Sequence, residues 1–457
     1  MKLTPRQQQL VQRTFLDYQS TADFLECPLV IERAEGLRLW DTEGREYLDA
    51  IGGIFVAGLG HRHPRVMEAM RRQMERATFV PPLHGISDVT LEFIDKLGSI
   101  APGDLRYAKP VSGGSEAVET ALKFTRQYFQ QSGRPGKYKF VSVYLGYHGA
   151  TFGAMGASGT GRRKTRFEPQ MPGFLKVLPP IALRDRFSSW DETCRFAARL
   201  FEDVIVNEDP ATVAGILVEP ISNTAGIQTP TSEYFRILRE ICDRHQVLLI
   251  FDEVITGFGR TGKMFAAQTF GVTPDILCAG KGISSGAVPM GALLAREDLG
   301  EAFAGPAGSE VNFAHGHTFA GNPLAAAVGI AVIDEIVEKR LDARAAELGE
   351  YLVGRLERLR ALGCIREIRG KGLLRGVEFA EDPAAGRPFP ADRKLGKILK
   401  RVALEQGLIL RVDPDWFAVA PPLIATEAEI DEIVDRIEQC LTLSLERMHS
   451  PAQRSET

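Results

Sequence analysis

VLLIFDEVITGFGRTG (247–262) opens on a run of apolar, partly β-branched residues and turns abruptly to carboxylates and glycines. The run is short and has no polar alternation, so it reads as a strand buried on both faces of a parallel sheet. Two similar runs stand upstream, KFVSVY (139–144) and VAGILVEP (213–220). Amphipathic stretches accompany them, SEAVETALKFTRQYFQQ (115–131) and SEYFRILREICDRHQ (232–246), with Thr231 or Ser232 placed to cap the second. Strand–helix alternation specifies a doubly wound α/β core. Open sheets of this kind bind ligands beyond the C-terminal ends of their strands, where Asp252 and Glu253 stand. Neighbouring strand residues face opposite ways, so these two carboxylates do not form an acid–base couple in one site.

The flanks read differently. GLRLWDTEGREYLDA (36–50) has two strand-like halves around a turn at Glu43-Gly44. Beyond about residue 325, long amphipathic helices mix with short strands such as GLLRGVEFA (372–380) and WFAVAPPL (416–423). The expected division is an N-terminal segment, 1–57, and a C-terminal segment, 326–457, that together form a smaller α+β domain beside a large domain at 58–325. HSPAQRSET reads as a loose tail.

Composition narrows the function. The 457 residues are 44% apolar and 25% charged with a net charge of −4, so there is no basic footprint for nucleic acid and the expected partners are small molecules. Cys27, Cys194, Cys242, Cys278, Cys364 and Cys440 show no C-x-x-C spacing, which argues against a disulfide framework or a metal site. The N-terminus lacks a signal-type apolar core, and no run of ~18 apolar residues occurs, so a cytoplasmic protein without a membrane span is expected.

Several stretches carry chemical groups. In DILCAGKGISSGAV (275–288), Lys281 lies between Gly280 and Gly282, whose small size would let a planar ligand approach. A desolvated lysine loses its proton more readily and becomes a nucleophile able to form a Schiff base. In VSGGSEAVETALK (111–123), Gly114 and Ser115 stand where a loop feeds a helix, a geometry that presents amides to an anion. The same residues would serve as an ordinary helix cap, with Ser115 capping and Glu119 nearby. YLGYHGATFGA (144–154) offers Tyr147 or His148 to stack on a flat ligand. GHTFAGNP (316–323) offers the Thr318 hydroxyl and amides to a phosphate, or else a turn before a helix at 323–338. GFGRTG (257–262) matches a dinucleotide-binding pattern but lacks a following helix and an acidic residue about 20 positions on. GASGTGRRK (156–164) has P-loop-like glycines but Arg162 and Arg163 where Lys and Ser/Thr belong. A nucleotide-binding dehydrogenase therefore rests on GFGRTG alone.

The order SGGSEAVETALK, GYHG, VEP, FDEVITGFGRTG, AGKGISSG, GHTFAGNP, APPL resembles the class III pyridoxal-phosphate (PLP) aminotransferases, which include the ω-aminotransferases. The resemblance runs from about residue 36 to about 420, and its FDEV-to-AGKG segment is the most specific part. It implies PLP-dependent transferase fold type I, with a large mixed, mostly parallel sheet. It implies that Lys281 bonds to PLP as a Schiff base and then moves the proton. Asp252 would pair with the pyridine nitrogen, Val254 would cover one ring face, and Tyr147 or His148 the other. Gly114 and Ser115 would bind the phosphate. Glu219 would lie on the cofactor's hydroxyl side and orient the Tyr147 region. Thr318 would reach the phosphate of a neighbouring subunit, which makes a homodimer, or a dimer of dimers, the expected assembly. Arg411 resembles the mobile arginine that holds the acceptor's carboxylate, and Tyr18, Phe55, Leu83, Tyr147 and Thr224 would shape the substrate pocket. The implied reaction moves an amino group from a primary amine or ω-amino acid to a keto acid, with pyruvate expected, in a ping-pong cycle. A phospho-lyase, an aminomutase or a decarboxylating aminotransferase on the same fold stays open. The stretch EPISNTAGI (219–227) departs from the family, placing Ser222 where a glutamine often contacts the cofactor.

Overall fold

The computed structural model describes residues 3–390, 393 and 395–449. Its centre is a seven-stranded sheet in the order Tyr107–Val111, Gly291–Ala295, Ile276–Ala279, Leu248–Asp252, Val213–Val218, Lys139–Val143, Phe174–Val177. Gly291–Ala295 runs antiparallel to both its neighbours. The remaining pairings are parallel, so the sheet is mixed and mostly parallel as expected. The apolar runs are continuous because both faces are covered. Leu217, Leu248 and Ile250 pack with Ala117, Val118 and Ala121 of the helix Gly114–Gln131. Ile216, Leu249 and Phe251 pack instead with Phe201 of Trp190–Asn207 and Phe235 and Leu238 of Ser232–His245. Thr231 is the N-cap of the last helix but makes no capping bond through its side chain.

Two four-stranded sheets flank this core. One joins Ile31–Glu35, Arg38–Asp41 and Glu46–Asp49 to the distant strand Leu408–Ile409, which pairs with Leu48 and Asp49. Its turn contains Gly44 at φ 79°, a left-handed conformation that glycine adopts without strain. The other sheet is Ile365–Lys371, Leu374–Phe379, Trp416–Val419 and Arg411–Asp413. Among the described residues, no helix is long and apolar enough to cross a membrane.

GFGRTG is a structural clasp. Arg260 is 3% exposed and donates to the carbonyls of Leu373 (3.0 Å) and Pro421 (2.5 Å), tying the core to the C-terminal segments. Arg260→Ala would leave both buried carbonyls without their donor and is expected to cost about 1–3 kcal/mol. Urea unfolding measures this, and an unchanged midpoint would mean that the carbonyls find other donors.

Candidate active site

The parallel strands deliver their chemistry at one end. Asp252 ends Leu248–Asp252 and is 5% exposed. Its Oδ2 lies 2.8 Å from Nδ1 of His148, and its Oδ1 accepts from the Val254 amide at 3.1 Å. Glu253 turns the other way, as strand geometry requires. It accepts from the amides of Ala266 (2.6 Å) and Ala267 (2.8 Å) and from the Thr256 hydroxyl (2.9 Å), at the start of Ala266–Phe270. Burial pushes its carboxyl up to about 7.

Lys281 follows the strand Ile276–Ala279 and opens a 3-10 turn, with φ 43°. Burial lowers its amine below the ordinary 10.5; Asp252 and Glu219 oppose that shift, and Arg411 and Arg163 add to it. The adjacent glycines serve packing within the chain rather than room for a ligand ring. A Cβ on Gly280 would meet Val254 Cγ1 at 3.1 Å, and one on Gly282 would meet Phe258 at 3.2 Å. Gly114 is also pressed by Val254, at 2.9 Å from where its Cβ would stand. The three small residues thus let Val254 seat beside Lys281 and the helix start.

Ser115 does not cap its helix. The N-cap is Gly113, and the Ser115 hydroxyl accepts from the Ala150 amide at 3.1 Å. This bond fastens the Tyr147–Ala150 loop to the helix start. Gly149 is required there, because a Cβ would stand 2.6 Å from Ser115 Oγ, and its φ is 140°. Glu119 accepts the amides of Gly153 (2.7 Å) and Ala154 (3.1 Å), holding the short helix Phe152–Ala157.

Tyr147 and His148 take different places. The His148 ring is buried against Asp252, and its amide donates to Ser158 Oγ at 2.8 Å. Tyr147 faces the cleft. Burial, with a hydrogen bond to Tyr18, pushes its phenol up to about 12. Glu219 Oε2 accepts from the Tyr147 amide and from Ser222 Oγ, both at 3.0 Å. Burial also raises the Glu219 carboxyl. Ser222 is 3% exposed and directs its hydroxyl to Glu219.

Gly114, Ser115, Tyr147, His148, Glu219, Asp252, Val254 and Lys281 line one cleft of about 150 Å³. Thr318, the remaining residue expected at the cofactor, is exposed on a loop outside it. The substrate residues divide further. Arg411 pairs with Asp413 at 3.1 Å and lies over the Trp416 ring at 5.4 Å. Tyr18 is 69% exposed, and its ring packs on Arg163. Thr224 gives its hydroxyl to the Leu145 carbonyl, which occupies its donor. Phe55 and Leu83 do not line the cleft of this chain. Phe55 is 2% exposed, turned into the core by a kinked turn with φ 64° at Phe55 and 70° at Gly53, and Leu83 is 93% exposed. Arg163 was not singled out by sequence as a site residue; its aromatic partners lie far apart in the chain and give no local signal.

These residues suit PLP. A helix start rich in small residues fits a phosphate, an enclosed amine of lowered basicity fits an aldehyde, and a buried carboxylate opposite fits a protonated ring nitrogen. Fold and cleft together define a fold type I PLP enzyme. The model for aminotransferase class III matches residues 20–441, and the chain belongs to that family. It is 32% identical over 434 residues to the β-alanine–pyruvate aminotransferase of Pseudomonas aeruginosa, covering 93% of this chain and 95% of that one. It superposes on an (S)-enantioselective ω-transaminase from Thermomicrobium roseum with a TM-score of 0.91, at 34% identity over 97% of this chain and all of that one. A Pseudomonas jessenii ω-transaminase solved with PMP gives a TM-score of 0.92, at 32% identity over 96% and 98% of the two chains. The chain is a PLP-dependent aminotransferase that uses an amine and a keto acid.

Proposed function

We propose that the chain transfers the amino group of an ω-amino acid or other primary amine to pyruvate, with Arg411 holding the keto acid's carboxylate. One observation carries this reading. Arg411 is not among the residues that line the cleft, but it is near enough for its charge to act on Lys281, and it rests on Asp413 and Trp416, partners it can exchange for a substrate carboxylate. A guanidinium binds a carboxylate through two parallel hydrogen bonds. The acceptor of the Pseudomonas aeruginosa relative supports pyruvate.

When bound, PLP supplies an aldehyde that captures amines and a ring that takes up electrons. Lys281 would contribute the amine that holds the cofactor and moves the proton. Asp252, fixed by His148 and the Val254 amide, would pair with the pyridine nitrogen. Val254 and Tyr147 would hold the ring between them and Gly114 and Ser115 would bind the phosphate, while Glu219 accepts from the Tyr147 amide and so holds that loop. Thr318 would complete the phosphate site of a neighbouring subunit in a homodimer, a role suited to an exposed loop. The strand Leu408–Ile409, paired to Leu48–Asp49, supports one small domain from 1–57 and 326–457 around 58–325. Six free cysteines suit the cytoplasm.

The test uses holoenzyme. Amine alone should remove the visible absorbance of the bound cofactor, and pyruvate should restore it. Release of phosphate and ammonia from an amino-alcohol phosphate, with the absorbance retained, would instead make the chain a phospho-lyase.

A further inference from the structure

We infer that Arg163 is a second anion-binding group of this site, one that takes the remote acid group of the amino donor and so selects ω-amino acids over uncharged amines. The inference rests on the aminotransferase reading and concerns its donor half.

Arg163 is placed by two aromatic rings. Its guanidinium carbon lies 4.3 Å from the centre of the Tyr18 ring and 4.5 Å from that of Tyr147. Tyr147 is itself a wall of the cleft. Arg163 also hydrogen-bonds the Tyr147 side chain; a guanidinium has five N–H donors, and those this bond does not use are the groups that grip a carboxylate or sulfonate. Partial removal of water strengthens such a pair.

The neighbouring arginines make the contrast. Arg162 pairs with Asp413 at 3.2 Å, and Arg411 pairs with the same carboxylate at 3.1 Å. Arg162 and Arg411 thus share one carboxylate, whereas among the described residues none pairs with Arg163. Its charge is felt at Lys281.

Position sets the donor class. Arg163 does not line the cleft with Lys281; it is set back against Tyr18 and Tyr147. An acid group bound there would lie against Tyr147, a wall of the cleft, rather than among the residues that line it with Lys281. A donor carrying amine and acid at opposite ends of a short chain meets that requirement. An α-amino acid, with both groups on one carbon, does not.

The experiment compares donors in the holoenzyme with pyruvate as acceptor. β-Alanine and 4-aminobutyrate carry the remote acid, and n-butylamine and 1-phenylethylamine do not. Arg163→Gln should raise KM for the acidic donors by about 10–100-fold, the loss of one charged hydrogen-bonded contact. KM for the neutral amines and for pyruvate should change by less than about twofold, and Arg163→Lys should recover part of the loss. The neutral amines also report that the variant is folded. Equal losses for acidic and neutral donors, or a rise confined to pyruvate, would overturn the inference. A wild-type enzyme that aminates pyruvate from none of these donors would overturn the proposed donor and acceptor, on which the inference rests.

Discussion

Lys281→Ala is expected to lower turnover by about 10²–10⁴-fold or more, because among the described residues no other amine lines the cleft to hold the cofactor and carry the proton. The measurement is kcat with saturating PLP, beside retention of cofactor through dialysis. The variant should release cofactor that the wild type keeps. Turnover at the wild-type level with added PLP would refute the role. The reaction's pH dependence offers a second check with a defined sign. Only the neutral amine attacks an aldehyde, and burial holds Lys281 below 10.5. Capture of PLP by the apoenzyme should therefore rise with pH through a midpoint below that of a free lysine. A midpoint at the free-lysine value would mean that the amine is solvated.

Asp252→Asn should reduce kcat by about 10²–10³-fold while leaving the fold intact. The substitution keeps size and the capacity to bond to His148 and to the Val254 amide, but removes the charge. A neutral amide does not hold a proton on the pyridine nitrogen, so the ring takes up electrons less well. The expected pattern is a large fall in kcat with a modest change in cofactor affinity. Near-normal kcat would show that the charge is not used.

The parts of this molecule that could be read from sequence share a physical reason. VAGILV and LLIFD are continuous apolar runs because the sheet is covered on both faces, and that pattern is local. Asp252, Lys281 and Ser115 lie where strands end or a helix starts, and glycines mark those places. What could not be read depends on distance along the chain or on one bend. Phe55 is an aromatic in a glycine-rich turn, and only the positive φ values at Gly53 and Phe55 turn it into the core. Which of Tyr147 and His148 meets Asp252 depends on a contact between a strand end and the loop after another strand. Gly280 suggested room for a ligand, whereas the space is filled by Val254, a residue 26 positions earlier (280 − 254). Arg163 sat in a failed P-loop pattern, and its meaning came only with Tyr18.

The short strand Leu408–Ile409 fixes an order in which the chain can be built during synthesis. Every strand of the seven-stranded sheet lies between residues 107 and 295, so the cofactor cleft can form while the rest is still being made. The sheet begun at Ile31 waits for its fourth strand until residue 408 has emerged. Pairings so distant form late, because a long loop must close first. Arg411 lies just beyond that closure. A nascent chain therefore has its chemical centre before it has Arg411, the proposed carboxylate clamp, and a chain ending short of residue 408 would lack both that arginine and the strand that anchors its own beginning.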